Sequence, residues 1–433
     1  MSGLATVLGA YRRAFSGLPT RVWILAGGLL VNRAGTMVLP FLSLYLTREL
    51  GFSVERAATV LAMYGAGSVA GSFSGGWLSD RIGPVRVLLL SLLLAGAGLM
   101  ALPSLTTFRA LLPAIFLVST VAESFRPALM TAVALASPPE VQARAFALVR
   151  LAVNLGMGIG PAVGGFLATS HYRWLFLGDG LTCWAAALLL LATLPREALG
   201  TPAPRRDAAP ARPPWTDGPF LLFLGLVFLL ALVFFQVFTT FPPFLREAYG
   251  LPESSIGLVL AFNAGLIVVF EMLLLRSVEH LDPVRLAGLG SFLVCAGFAI
   301  LPLGRGMGLA LLSTAVWSLG EMLSLPLANS IVARRAPREA AGRYMGAYAL
   351  TFSSAFVVAP ILGGAIYSRL GPAALWTAAG LVGLVLLAGF QLLAPAFGRP
   401  GGGRLGGEEV PHPPNGEQGR GGAGENPTRA RSR

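Results

Sequence analysis

Four ionisable side chains stand in the middle of long apolar runs: Arg33, Glu123, Arg126 and Glu321. A charge at the centre of a bilayer costs about 2.5–3.5 kcal/mol on insertion scales, so such a residue is kept where it is paired or faces a cavity. The chemistry open to this set is proton exchange, because a carboxylic acid in a low-dielectric cavity can hold a proton near neutral pH and lose it when a cation approaches. Glu321 has no arginine near it in sequence and is one candidate proton carrier; Glu123 is the other. Glu123 and Arg126 lie three residues apart, on one face of a helix, and a permanent ion pair of Glu123 with Arg126 or Arg33 is the alternative there. Asn32, Gln236, Trp317, Asn154 and Asn263 are candidates for the cavity wall, each able instead to serve contacts between helices. Trp317, one turn from Glu321, could stack on an aromatic or cationic substrate. Asp179 falls near the end of its run and reads as hydrated. His171, His280 and His412 fall in loops or the tail, with no metal or nucleophile constellation and no phosphate-binding P-loop. No cofactor, no metal and no ATP drive are expected.

The elements that must position these groups follow from composition. The 433 residues are 55% hydrophobic and 12% charged, against about 25% charged in a soluble domain. A helix needs about 20 apolar residues to cross a bilayer. Twelve runs qualify, near 22–46, 57–78, 87–105, 110–136, 145–168, 174–194, 219–245, 256–275, 284–304, 307–333, 344–368 and 372–393. They do not alternate apolar and polar residues as barrel strands would. The expected fold is an all-α membrane protein of twelve transmembrane helices. Spans 1, 4, 7 and 10 carry the central polar groups.

All 32 basic residues are arginine, and the net charge is +12. With the N-terminus in the cytoplasm, 22 arginines fall on the cytoplasmic side against 7 outside, including 6 in the tail. The positive-inside rule therefore places both termini in the cytoplasm. The arginines flank apolar runs, so they orient the chain in a bilayer and do not mark a nucleic-acid surface. Cys183 and Cys295 lie inside apolar runs as packing residues.

Shifted by 199 positions, the chain matches itself without gaps. Gly51 meets Gly250, Pro84-Val85-Arg86 meets Pro283-Val284-Arg285, Arg144 meets Arg343, and Pro161 with Gly164-Gly165 meets Pro360 with Gly363-Gly364. Each copy holds six spans, so both have the same orientation. The two six-helix bundles are then related by a pseudo-two-fold axis along the membrane normal, with a substrate site in the seam. The segments expected are an interfacial N-terminal piece over 1–20, a first bundle over 21–194 and a cytoplasmic linker over 195–218. A second bundle over 219–395 and a disordered tail over 396–433 complete the chain.

The loop Gly75-Gly76-Trp77-Leu78-Ser79-Asp80-Arg81-Ile82-Gly83-Pro84-Val85-Arg86 resembles the signature loop of the major facilitator superfamily, with Pro84 and Val85 in place of the usual basic pair. Gly76 and Gly83 suit close approach and a tight turn, and the resemblance implies a cytoplasmic gate at Gly76, Asp80, Arg81, Gly83 and Arg86. Span 5 is similar to the antiporter motif of proton-coupled exporters in Gly156, Gly160, Pro161, Gly164 and Gly165, with Ala147 where a further glycine would stand. The arginine many drug:proton antiporters carry early in span 4 is absent, its place being Ile115; Arg126-Pro127 stands further along.

Taken together, the expectation is a transporter of the bacterial cytoplasmic membrane, not an enzyme. It would export small amphipathic, drug-like molecules by proton antiport with alternating access. A proton symporter or uniporter for a sugar or other small metabolite is the second reading, and a transport-dead receptor or scaffold the third. The expected partners are a small-molecule substrate, protons and lipid, with no nucleic acid and a monomeric state.

Overall fold

The computed structural model describes residues 17–138, 141–194, 214–337 and 340–397. Most of the interfacial piece, most of the linker and nearly all of the tail expected from the sequence lie outside them. Fifteen α-helices follow in order among the described residues: α1 Thr20–Ala34, α2 Val38–Leu44, α3 Val54–Ile82, α4 Pro84–Ala101, α5 Phe108–Ala136, α6 Gln142–Ser170, α7 Arg173–Thr193, α8 Gly218–Phe234, α9 Gln236–Thr239, α10 Phe241–Glu247, α11 Glu253–Ser277, α12 Pro283–Ala299, α13 Met307–Arg335, α14 Ala341–Leu370 and α15 Pro372–Phe397.

Eleven stretches of this helical chain are long and apolar enough to cross a membrane. The long helix outside that set is α3, 29 residues long. Its hydropathy is diluted by the glycines that let it lie against α5. A Cβ on Gly67, Gly71 or Gly75 would sit 2.4, 2.3 or 2.5 Å from the carbonyl oxygen of Phe116, Thr120 or Ser124. This four-residue stripe brings two backbones together as membrane helices do at small residues.

The 199-residue repeat is visible in the backbone. Helices α5 and α13 begin and end at matching positions, Phe108–Ala136 against Met307–Arg335. Gly51 and Gly250 both take positive φ, 66° and 69°, a conformation glycine adopts without strain. Pro84 and Pro283 both open their helices, where the missing N–H costs nothing. Two further matching features are breaks. The first sequence span is interrupted at Gly35 to Met37, between α1 and α2; the seventh is interrupted at Phe235, between α8 and α9.

One end of the molecule, the near end, carries Leu18, Gly83, Asp217 and Phe397. The opposite, far end carries Gly51, Leu105, Gly250 and Gly371. Apolar packing is continuous across both repeats at the far end, where Phe41, Tyr45 and Phe176 join one cluster with Phe241 and Val259. At the near end the first repeat has a cluster of its own around Val22, Leu88, Leu129 and Leu190. Helix α2 touches α9 and α10, and a small gap at the far end is lined by Ser43, Ala58, Thr240 and Gly364.

The near ends of α8, α13, α14 and α15 are tied by one charged group. Arg335 donates through Nε and Nη2 to Asp217, both at 2.8 Å, and through Nη1 to the Ala396 carbonyl at 2.9 Å. Asp217 also caps α8, accepting from the Phe220 N–H at 3.2 Å, and accepts from the Tyr344 hydroxyl at 3.3 Å. Burial alone would raise the Asp217 carboxyl; the bonds from Arg335, Phe220 and Tyr344 outweigh it and hold the group below its usual range. A depressed native value contributes stability above the unfolded value of about 3.9, and that stability is lost as pH falls through the native value. Asp217→Asn is expected to cost about 2 kcal/mol, the scale of a hydrogen bond to a charged group. Melting of detergent-solubilised protein checks both statements: the variant melts lower at neutral pH, and its deficit shrinks below about pH 4.

Candidate functional site

The sequence candidates fall into two clusters, one in each repeat, and the structure separates those that stay half-buried or exposed from those that hold the fold. In the first repeat, Glu123 on α5 accepts from the Tyr64 hydroxyl of α3 at 3.2 Å. Arg33, in the last turn of α1, is half-buried and within electrostatic reach of both Tyr64 and Asp179. The described ion pairs are Arg150 with Glu271, Arg246 with Glu253 and Arg335 with Asp217. The alternative of a permanent pair between Glu123 and either arginine is therefore not what the structure holds. Arg126 is exposed on α5, and its charge reaches the Tyr348 hydroxyl of α14. Around Tyr64 stands an aromatic wall. Phe356 lies edge-on to Tyr64 with ring centres 5.8 Å apart, and Phe235 meets Phe356 at 4.6 Å and Phe352 at 6.2 Å.

In the second repeat, Glu321 on α13 is half-buried. Asn263 on α11 donates through Nδ2 to Glu321 Oε2 at 3.0 Å and to Ser318 Oγ at 2.9 Å. The Ser318 hydroxyl is committed as a donor to the Thr314 carbonyl at 2.6 Å, so it can only accept from Asn263. The amide is thereby fixed by Ser318, on the same helix as Glu321, and Glu321 is held by one side chain of the neighbouring helix, Asn263. No cation lies within ion-pair distance of it among the described residues.

Four expectations change. Trp317 is 1% exposed and stacked on Phe298 at 5.8 Å and 8°, with Trp376 on the other face of that ring at 5.5 Å. It is core, not cavity wall; an aromatic residue one turn from a carboxylate can point either way, and here Trp317 packs inward while Glu321 stays half-buried. Gln236 is buried in the α8–α9 break, donating to the Leu232 and Ala359 carbonyls at 3.0 and 2.9 Å and accepting from the hydroxyls of Thr239 and Thr240 at 2.9 and 2.8 Å. It serves the backbone. Asn32 donates to Cys183 Sγ at 3.3 Å, a contact within the first repeat, while Asn154 stays half-buried on α6. Asp179 is not hydrated: it is 7% exposed and accepts from the N–H groups of Met37 and Val38, each at 3.2 Å. Its partners are 142 and 141 residues away, a pairing no local spacing could reveal.

The signature loop divides likewise. Gly83, with φ 90°, makes the turn before Pro84. A Cβ on Gly76 would meet nothing within 4 Å, so the close approach belongs to its neighbour Gly75. Asp80, Arg81 and Arg86 are exposed, and the Arg81 guanidinium lies 3.9 Å from the Trp77 ring centre. No hydrogen bond or ion pair joins Asp80 to another described residue.

The span 5 glycines work on two fronts. Gly156, Gly160 and Gly164 press on the break in the first span: their Cβ atoms would meet Arg33 Cβ at 2.4 Å, the Thr36 carbonyl at 2.7 Å and Met37 Cβ at 3.0 Å. Pro161 and Gly165 face α11. A Cβ on Gly257 would fall 2.2 Å from the Pro161 carbonyl, and one on Gly165 would fall 2.6 Å from that of Glu253. Along this α6–α11 seam, Arg150 pairs with Glu271.

Long apolar helices, interrupted spans and polar groups at mid-depth define a membrane transport protein. The chain matches the Major Facilitator Superfamily over residues 24–360 and belongs to it. It is 24% identical over 374 residues to the MFS-type transporter YhjO of Bacillus subtilis (strain 168), covering 84% of this chain and 90% of that one. It is 25% identical over 370 residues to a Na(+), Li(+), K(+)/H(+) antiporter of Planococcus maritimus, covering 78% and 87%. Its fold is that of a POT family transporter solved with a thioalcohol-conjugated peptide, at TM-score 0.76 and 17% identity, covering 90% of this chain and 99% of that one. The family and these relatives are transporters, not enzymes.

Proposed function

We propose that the chain is a proton-coupled exporter of small amphipathic molecules, with Glu321 as the proton carrier. Twelve helices, α3 included, form two six-helix bundles related by a pseudo-two-fold axis, and the site lies between them. The observation that carries this reading is the setting of Glu321: a half-buried carboxylate with no ion-pair partner, aimed by the fixed amide of Asn263. A carboxylate so placed can take up and release a proton without breaking a structural pair. The aromatic wall of Tyr64, Phe235, Phe352 and Phe356, with Arg126 and Glu123 beside it, supports an amphipathic cargo. Arginine placement supports a cytoplasmic near end and cytoplasmic termini, and the Bacillus relative supports a bacterial membrane. Continuous far-end packing and the unpartnered Asp80 then correspond to a cytoplasm-facing state.

A second reading is exchange of monovalent metal cations for protons, favoured by the antiporter relative that matches most of the chain. Purified protein in liposomes separates the two. Lipophilic dyes, sodium, potassium and sugars are offered with and without a pH gradient. Dye movement against its gradient, driven by protons moving the other way, supports the first reading. Cation movement alone supports the second, and gradient-independent sugar flux overturns both.

A further inference from the structure

We propose that Asp179 is a second proton-binding site, separate from Glu321, whose protonation loosens the break in the first span. Two matching breaks interrupt the chain in corresponding places, and they are held by different chemistry. At the second, Gln236 bridges the carbonyls of Leu232 and Ala359 and takes the hydroxyls of Thr239 and Thr240; an amide does not titrate. At the first, the freed N–H groups of Met37 and Val38 both point at one carboxylate oxygen of Asp179. The repeat counterpart of Asp179 is Ala378, so the titratable holder belongs to the first repeat alone.

The carboxylate is 7% exposed and makes no ion pair at salt-bridge distance. Its charged and titratable neighbours are Arg33 from α1, Tyr64 from α3 and Cys183 on its own helix. Helices α4 and α6 present Met100 and Leu167 at this level, which do not titrate. Hydrogen bonds to an ionised acceptor are roughly twice as strong as neutral ones. A proton on Asp179 therefore weakens both bonds at once and removes the negative charge within electrostatic reach of Arg33. The break itself is packed for close approach: a Cβ on Gly35 would fall 1.6 Å from Thr182 Oγ1. A small change in hold at this point moves Val38 to Glu49 as one helical piece, and that piece packs against α9 and α10 at the far end.

The test uses the full chain in lipid nanodiscs with spin labels at Arg48→Cys and Leu370→Cys, both exposed at the far end. Cys183 and Cys295 are buried and stay native. Wild-type protein is expected to change its label distances between mildly alkaline and mildly acidic pH. Asp179→Asn keeps the shape but not the charge, and should show the acidic distribution at every pH. Asp179→Glu should respond to pH with a displaced midpoint. Glu321→Gln, which removes proton-driven transport under the reading above, should leave this response in place, so either idea can fail alone. An Asp179→Asn response identical to wild type overturns the proposal, as does a wild-type protein indifferent to pH. If the Asn variant does not fold, a Glu variant with an unmoved midpoint overturns it.

Discussion

Glu321→Gln is expected to abolish accumulation against a gradient while leaving downhill movement of substrate intact. A pH difference of about two units stores about 2.7 kcal/mol per proton, which at one-to-one exchange supports roughly a hundredfold concentration ratio. A carrier that cannot exchange its proton loses that entire ratio. The substitution is conservative in structure. The glutamine Oε1 can accept from Asn263 as Glu321 Oε2 does, and the Ser318 to Thr314 bond that fixes the amide is untouched. Loss of coupling without loss of folding is therefore the expected result, read as dye accumulation and proton flux in the same liposomes. Glu123→Gln is the control that assigns the role: Glu123 is held by the Tyr64 hydroxyl in the other repeat, and its variant should keep measurable proton-driven flux. Undiminished concentrative transport by Glu321→Gln would remove Glu321 from the mechanism.

What the sequence made legible is what repeats or what is costly. Apolar runs of span length located the helices, and the ungapped 199-residue offset matched the two halves, because glycine at a turn and proline at a helix start are readable one residue at a time. The position of Glu321 was legible because a carboxylate in an apolar run must be accommodated. Its partner Asn263, 58 residues away, was visible as a polar group but not as a partner. The misreadings share a cause. Trp317, Gln236 and Asp179 were placed by depth alone, and depth does not say which side of a helix a residue faces. Interrupted spans made the difference for the last two. A break frees backbone groups that must be satisfied inside the bilayer, and buried Gln236 and Asp179 satisfy them. Within the first span only Gly35 and Pro40 flank the break, and neither type is rare in a chain with 54 glycines and 31 prolines. The span 5 motif was legible as a small-residue face, whereas its division between the α1–α2 break and α11 depends on where two distant helices come to rest.

Gly257→Val is expected to be the most damaging single change in the seam between the repeats. The first added carbon alone would stand 2.2 Å from the Pro161 carbonyl and 3.0 Å from Gly165 Cα. Both are backbone atoms of a helix that cannot rotate away as a side chain would. Overpacking of this kind costs about 1–3 kcal/mol, and more where the neighbour is rigid. The seam lies toward the far end, beside the Tyr172 hydroxyl that donates to Glu253 at 2.9 Å. Forcing α6 and α11 apart there props open the end that packs as one cluster. Transport then fails because that end can no longer close. Two neighbouring substitutions calibrate the effect. A Cβ on Gly158 would meet Ala264 Cβ at 3.2 Å, so Gly158→Ala should be mild, and Gly76→Ala, with nothing within 4 Å, should be neutral. Melting temperature and transport rate across the three variants should fall in that order. A Gly257→Val protein that melts and transports like wild type would mean that the two repeats do not meet at this seam.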